Sequence, residues 1–144
     1  PGVPVAQGSL KAWRGNGMKF AKLTSTATGL KQWRALVAGA LVNELRKQDP
    51  PFATITDPLE VDLDFRVPKP KSEPKRKPTL PVRKPDLDKL LRAVLDAMTG
   101  VVYQDDSQVV KATVVKNWPG ITTTTIADNR LTPGVNIIVW RLVL

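Results

Sequence analysis

The sequence contains no cysteine and no histidine. The absence of cysteine excludes a disulfide framework and thiolate nucleophiles, and the absence of histidine excludes histidine general bases; together they exclude the usual zinc sites. No run of 18 or more apolar residues occurs, and the start of the chain lacks the charged-then-apolar layout of a secretory signal, so no membrane association is expected. Any hydrolytic chemistry must therefore use carboxylates, lysines, hydroxyls or an oxygen-bound metal such as Mg²⁺.

Basic residues are plentiful and unevenly distributed. The 144 residues carry a formal net charge of +9, and most of it comes from residues 66–84, which contain a single acid, Glu73. The basic residues of this stretch are Arg66, Lys69, Lys71, Lys75, Arg76, Lys77, Arg83 and Lys84. Such a concentration is typical of proteins that bind a polyphosphate, and a solvated linker is the alternative explanation.

Hydrophobic periodicity predicts the order β-α-β-loop-α-β-β. The predicted strands lie within residues 3–13 and at 59–67, 108–116 and 135–143, and the predicted helices at 28–47, with Thr28 as N-cap, and at 86–98. Strict alternation in 59–67 predicts a half-buried strand, and plain solvent exposure remains one possibility for its polar face. Five prolines within 68–81 predict an extended, mobile loop. We expect an α/β (α+β) fold, a single small domain over residues 1–144 with helices packed on a mixed or antiparallel sheet.

Five of the thirteen acidic residues follow the basic segment directly. Asp86 and Asp88 open the second predicted helix, and Asp106 precedes the next strand. A strand that returns beside the helix start, or a partner subunit that closes the gap, would bring Asp106 near this pair. Carboxylates grouped in this way bind Mg²⁺, which promotes phosphodiester hydrolysis.

Each acid also has a purely structural explanation. Asp86 can serve as a helix N-cap, and Asp88 can form a surface pair with Arg92 one turn later. Asp96 can form a salt bridge on the same helix face, and Asp105 with its neighbour can form an ordinary turn. Spacing alone leaves both explanations open.

Three segments between residues 84 and 110 resemble the signature of the RusA family of Holliday-junction resolvases, many of which are encoded by phages and prophages. They are Pro-Asp-Leu-Asp-Lys-Leu, Leu-Asp-Ala-Met-Thr-Gly and Asp-Asp-Ser-Gln-Val. The resemblance implies a homodimeric endodeoxyribonuclease that uses Mg²⁺, or Mn²⁺ in its place, in the cytoplasm of a bacterial host. It implies paired nicks in four-way junctions that leave 5′-phosphates, metal ligands Asp86, Asp88 and Asp106, and supporting acids Asp96 and Asp105.

Two positions depart from the family pattern. Lys89 occupies a position where many members have asparagine, and Arg92 one where some members have a catalytic lysine. Arginine keeps the positive charge and binds phosphate through two hydrogen bonds, but it does not donate a proton at neutral pH. We therefore expect Arg92 to act electrostatically among the catalytic residues, with Lys89 as the alternative substitute for the lysine.

The expected DNA contacts are mainly to phosphates, so branch geometry rather than base sequence should govern binding. The N-terminal group of Ser9, Lys11, Trp13 and Arg14 could also meet phosphates or a base, although Trp13 could equally be a core residue. A non-catalytic protein for branched DNA remains the alternative function, and an RNA-binding or scaffold protein is disfavoured because the chain has no aromatic-rich strand motif. The residues expected to contact DNA are Lys69, Lys71, Lys75, Arg76, Lys77, Arg83, Lys84 and Lys89.

Overall fold

The computed structural model describes residues 2–7, 10–13, 22–25, 28–74, 77–121 and 131–143. Two helices and a three-stranded mixed sheet confirm the expected α+β fold. The elements are β1 (Leu10–Trp13), β2 (Lys22–Ser25), α1 (Leu30–Leu45), β3 (Leu59–Arg66), α2 (Leu87–Met98), a 3-10 helix (Asp106–Gln108), β4 (Val109–Asn117) and β5 (Gly134–Arg141).

The N-terminal region differs from its prediction. Within the range 3–13, where a strand is predicted, the described strand is β1, and residues 3–7 form no regular structure. Strand β1 pairs antiparallel with β2, which the hydrophobic pattern does not predict. The side chains expected to form an N-terminal phosphate-binding group lie outside the described part of the chain; they belong to Ser9, Lys11, Trp13 and Arg14.

Strand β3 lies in the centre of the three-stranded sheet, parallel to β4 and antiparallel to β5. Its alternating apolar residues are completely buried, as predicted. The opposite face is partly open to solvent: Glu60 and Asp62 are half-buried, whereas Asp64 and Arg66 are each only 1% exposed. Asn117 Nδ2 donates to Asp64 Oδ1 at 2.8 Å, and Arg66 Nε donates to the Thr132 carbonyl at 3.1 Å. Such hydrogen bonds offset the cost of burying charged groups.

Helix α1 buries the predicted stripe, in which Leu30, Trp33 and Val37 face the core. The N-cap is Gly29 rather than Thr28. Gly29 adopts a left-handed conformation with φ of 79°, which glycine adopts at little steric cost, and its carbonyl accepts from the backbone N–H of Trp33 at 2.9 Å. The sequence therefore predicted the helix but not its first residue.

Helix α2 packs on the core with a face that differs from the predicted one. The hydrophobic periodicity predicts an apolar face formed by Leu87, Leu91, Val94, Leu95 and Met98; Val94 and Met98 are buried, but Leu87 is 38% exposed. The buried face includes two alanines, whose small side chains contribute packing that a search for large apolar residues overlooks. The buried residues of α2 are Leu90, Ala93, Val94, Ala97 and Met98.

The connection between α2 and β4 sets the geometry of the candidate site. Residues 99–108 join them, so β4 starts beside the end of α2 and runs back toward its start. At the far end of β4, Lys116 Nζ donates to the carbonyls of Arg83 and Pro85, just before α2 begins. Among the described residues, no helix is long and apolar enough to cross a membrane.

Candidate active site

Two acids stand at the start of α2. Asp86 occupies the N-cap position, but its carboxylate accepts no capping hydrogen bond from the helix. Instead, Lys89 Nζ lies 3.6 Å from Asp86 Oδ2. Asp88 is exposed in the first turn, where the free backbone N–H groups of the helix stabilise negative charge. Neither capping bonds nor burial therefore removes this pair from contact with a ligand.

The chain that leads into α2 is fastened to the end of β4. Lys116 Nζ holds the Arg83 carbonyl at 2.9 Å and the Pro85 carbonyl at 2.8 Å, and Trp118 Nε1 donates to Thr79 Oγ1 at 3.2 Å. The sequence predicted a mobile loop throughout this region and gave no role to Lys116 or Trp118. A lysine and a tryptophan at the end of a strand carry no local signal for such contacts.

The basic segment therefore lies next to the Asp86 end of α2. Lys69 Nζ also donates to the Pro74 carbonyl at 3.0 Å, which folds part of the segment on itself. Lys75 and Arg76 lie outside the described residues. Cations flank the two acids, as a phosphate-binding surface requires. The exposed basic residues of the described part of this segment are Lys69, Lys71, Lys77, Arg83 and Lys84.

The second pair of acids lies in the turn before β4. Asp105 Oδ1 accepts from the backbone N–H of Ser107 at 2.9 Å and so caps the 3-10 helix. Hydrogen bonds from Ser107 lower the pKa of the Asp105 carboxyl below its ordinary value. Asp106 is exposed in the first turn of the same short helix. Asp105 therefore has a structural role, and Asp106 is the acid of this pair with a carboxylate available to a ligand.

Gln108 holds this turn in place. Its Oε1 accepts from the backbone N–H groups of Gln104 and Asp105, both at 2.9 Å. Its Nε2 donates to the carbonyls of Ile55 at 3.0 Å and Asp57 at 3.2 Å. The motif Asp-Asp-Ser-Gln-Val contains Gln108 but does not predict this role, because its partners at residues 55–57 are distant in sequence.

Tyr103 shows which end of α2 lies near Asp106. The hydroxyl of this buried residue donates to the carbonyl of Leu95, in the last turn of the helix. Burial raises the pKa of the Tyr103 hydroxyl most, and the negative charge of Asp106 is the next contribution, with further increases from Asp96 and Asp105. Asp106 therefore lies near the end of α2.

Asp96 and Arg92 lie on the same helix but have different surroundings. The Asp96 carboxylate is in an ion pair with Arg34 of α1, whose Nη2 also donates to Gln7 Oε1 at 2.9 Å. Asp96 therefore joins the two helices. Arg92 is exposed one turn after Asp88, where its guanidinium can reach a bound phosphate.

The structure does not bring the three expected metal ligands together within one chain. Helix α2 has 12 residues and is therefore about 18 Å long. Asp86 and Asp88 stand at its start and Asp106 near its end. In the parts of the chain that the structure describes, no group of three or more acidic side chains could hold a metal ion. Strand β4 does return to the start of α2, but it is the last part of β4 that lies there. Asp106 precedes the first residue of β4 and therefore lies at the other end of the helix.

Comparison with known proteins agrees with the acid pattern. The chain matches the family model of endodeoxyribonuclease RusA over residues 1–127, which include both acid pairs and the basic segment. It is 36% identical over 124 residues to the uncharacterized protein YqaN of Bacillus subtilis (strain 168), which is 80% of this chain and 82% of that protein. The chain belongs to the RusA family of endodeoxyribonucleases.

Proposed function

We propose that the protein is a Mg²⁺-dependent endonuclease that resolves Holliday junctions by paired nicks and leaves 5′-phosphate ends. We also propose that residues 1–144 form a single domain. Membership of the RusA family makes it an endodeoxyribonuclease, and this family activity is the resolution of Holliday junctions. The observation that carries the proposal is the start of α2, where Asp86 and Asp88 remain free of capping bonds beside a fastened basic segment.

The position of Asp106 supports a metal site made by two copies of the chain. A twofold axis that reverses the direction of α2 would set the end of one helix beside the start of the other. Asp106 of one protomer would then approach Asp86 and Asp88 of its partner. A four-way junction has two equivalent strands to cut, so a homodimer with two sites of this kind matches its symmetry.

The donor set suits a hard divalent cation. Asp86, Asp88 and Asp106 offer carboxylate oxygens, which Mg²⁺ and Mn²⁺ prefer as ligands, and the chain has no cysteine or histidine to favour a softer metal. These residues would fit such an ion if two copies combined, because within the described part of one chain no group of three acids could hold it. When bound, the ion would supply Lewis-acid stabilisation of the negative charge on the scissile phosphate.

The remaining residues of the site would act on the DNA directly. Arg92 would hold a phosphate oxygen pair through two hydrogen bonds and stabilise developing charge. Lys89, held 3.6 Å from Asp86, would add positive charge at the same end of the helix. The exposed cations of the basic segment would bind the arms of the junction through their phosphates, so that branch geometry governs recognition.

Cleavage of a labelled four-way junction in Mg²⁺, compared with EDTA and with a linear duplex, tests the function. We expect Asp88→Asn to abolish cleavage and to bind the junction as tightly as the unmodified protein or more tightly, because it removes a ligand and a repulsive charge. Glu44→Gln, an exposed change on α1, is the control and should cleave normally. Junction binding without cleavage in Mg²⁺ or Mn²⁺ would instead support the non-catalytic alternative.

Mixing two inactive variants tests whether the site is shared. Asp88→Asn and Asp106→Asn should each be inactive alone. In a shared site, a heterodimer combines Asp88 from one variant with Asp106 from the other, so random mixing should restore about a quarter of the sites. A site built within one chain predicts no recovery on mixing. Recovery measured after joint refolding of the two variants therefore separates the two arrangements.

A further inference from the structure

Residues 80–82, which we call the apolar tip, expose two large hydrophobic side chains within the basic segment. Leu80 is 54% exposed and Val82 is 88% exposed, whereas Pro81 between them is buried. This alternation is that of an extended chain, in which neighbouring side chains point to opposite sides. Among the residues that the structure describes, Val82 is the most exposed large hydrophobic residue. Such exposure is unfavourable in water unless the side chain meets a partner.

The apolar tip is held on both of its sides. Before it, Thr79 Oγ1 accepts a hydrogen bond from Nε1 of the buried Trp118 at 3.2 Å. After it, the carbonyl of Arg83 accepts from Lys116 Nζ at 2.9 Å. Both donors lie at the end of β4 or directly after it. The two exposed side chains therefore belong to a short piece of chain that is fixed to the sheet at both ends, unlike a free linker.

Positive charge borders the apolar tip. Lys77 precedes it, Arg83 and Lys84 follow it, and all three are exposed. Exposed cations of this kind bind the phosphates of a nucleic acid. A protein partner would suit this surface less well, because the centres of protein interfaces are depleted in lysine. The charge therefore favours DNA as the partner that covers the tip.

Aliphatic side chains find few partners on an intact duplex. Phosphates and sugars line its outside, and the faces of its bases are stacked on one another. Apolar side chains reach base faces by entering between base steps, which costs the stacking energy of the step. In an open four-way junction the strands exchange between helices, so the base pairs beside the crossover have lost a stacked neighbour. An apolar side chain can therefore contact a base face there at a lower cost than in a duplex.

We propose that the apolar tip enters the branch point, where Leu80 and Val82 contact base faces beside the crossover and so select branched over linear DNA. The inference rests on the proposed function, since it names residues that recognise the proposed substrate. Val82 is four residues before Asp86, so their Cα atoms are at most about 14 Å apart. Successive nucleotides of a strand are about 3.4 Å apart along the helix axis. The tip would therefore meet the branch within about four nucleotides of a phosphate held at Asp86.

Binding to a four-way junction and to a linear duplex, both in EDTA so that no cleavage occurs, tests the inference. The tip variant combines Leu80→Gln with Val82→Thr, which keeps the size of both side chains and all of the positive charge. The ratio of junction affinity to duplex affinity should fall about tenfold, because burying one valine side chain contributes roughly that factor. Duplex affinity should stay unchanged, because the phosphate contacts remain.

Matched substitutions elsewhere serve as the control. Leu36 on α1 is 59% exposed and Val3 is 56% exposed, so Leu36→Gln with Val3→Thr makes the same chemical changes at similar exposure. This control should keep the preference for the junction. Val82→Ile alone should also keep it, because the side chain remains apolar.

Fluorescence of 2-aminopurine gives a second readout, since stacking quenches this base. The unmodified protein should raise the fluorescence of 2-aminopurine placed beside the crossover, and the tip variant should not. A probe in the middle of a junction arm should respond to neither protein. No rise beside the crossover with the unmodified protein would overturn the inference.

The outcomes separate this inference from the proposed function. If the unmodified protein cleaves the junction in Mg²⁺ and the tip variant keeps its full preference for the junction, the inference is wrong and the proposed function stands. Equal losses of junction and duplex affinity would make the tip a general DNA contact, which also overturns the inference. A lost preference together with a lost fluorescence rise supports it. If the unmodified protein then failed to cleave the junction in Mg²⁺, the nuclease assignment would be wrong while the tip remained the element that recognises the branch.

Discussion

The amide of Gln108 uses all its hydrogen-bonding capacity, and its removal has a calculable cost. Two of its hydrogen bonds hold the backbone of the turn that carries Asp106, and the other two reach the carbonyls of Ile55 and Asp57. Gln108→Leu keeps a side chain of similar size but removes all four bonds. The turn would then lose its connection to residues 55–57, and Asp106 would lose its fixed position.

The bonds differ in what their loss costs. A hydrogen bond contributes about 1 kcal/mol net to stability. Water can replace Gln108 Oε1 as the acceptor for the two exposed N–H groups of the turn. The carbonyls of Ile55 and Asp57 lie in a partly buried region and lose Gln108 Nε2 as their donor. We therefore expect Gln108→Leu to lower the free energy of unfolding by about 2 kcal/mol. For a domain of this size, that corresponds to a fall in Tm of about 4–8 °C.

Thermal unfolding followed by circular dichroism measures this effect. Gln104→Leu is the matched control, because it makes the same chemical change at an exposed position in the same turn and should shift Tm by about 2 °C or less. The Mg²⁺ concentration for half-maximal junction cleavage should rise for Gln108→Leu and not for the control. Equal Tm values for the two variants would refute the role of Gln108 as the residue that holds the turn.

Two further predictions concern the buried polar pair and the basic segment. Asn117→Ala removes the donor to buried Asp64 and should lower the free energy of unfolding by about 1–3 kcal/mol, measured by urea denaturation; an unchanged midpoint would contradict this. Neutralising Arg83 and Lys84 together with glutamine should reduce the slope of log binding constant against log salt concentration by about 2 for each protomer that contacts the DNA, because fewer counterions are released. Lys31→Gln, an exposed change on α1, is the control and should leave that slope unchanged. If the double variant also left the slope unchanged, Arg83 and Lys84 would not contact DNA.

The main elements of the fold could be predicted from the sequence because their apolar residues repeat with the period of their structure. The stripe of α1 and the alternation of β3 are strong signals of this kind. The burial of Asp64 could not be predicted, because it depends on Asn117, which β4 brings beside β3 from 53 residues away. The capping role of Gly29 was missed because Thr28 is the better N-cap residue by local preference.

The residues of the site could be predicted better than their arrangement. The spacing of the acids and the family resemblance both indicated Asp86, Asp88 and Asp106. Their relative positions depend on the direction in which β4 leaves the end of α2, which spacing does not specify. Lys116 acts on backbone carbonyls more than 30 residues away, so no local pattern marks it.

The separation of the acids within one chain has a physical advantage. Three carboxylates held together without a metal repel one another, and the repulsion is relieved when a cation binds or when one of them is protonated. In a single chain, Asp106 is instead about a helix length from the other two, so this cost is avoided. In the shared site that we propose, the repulsion would arise only when two copies pair, at the place where a metal ion could offset it. Pairing would also create both sites at once, so that a junction meets either two competent sites or none. This coupling suits a reaction in which a single nick would leave the junction unresolved.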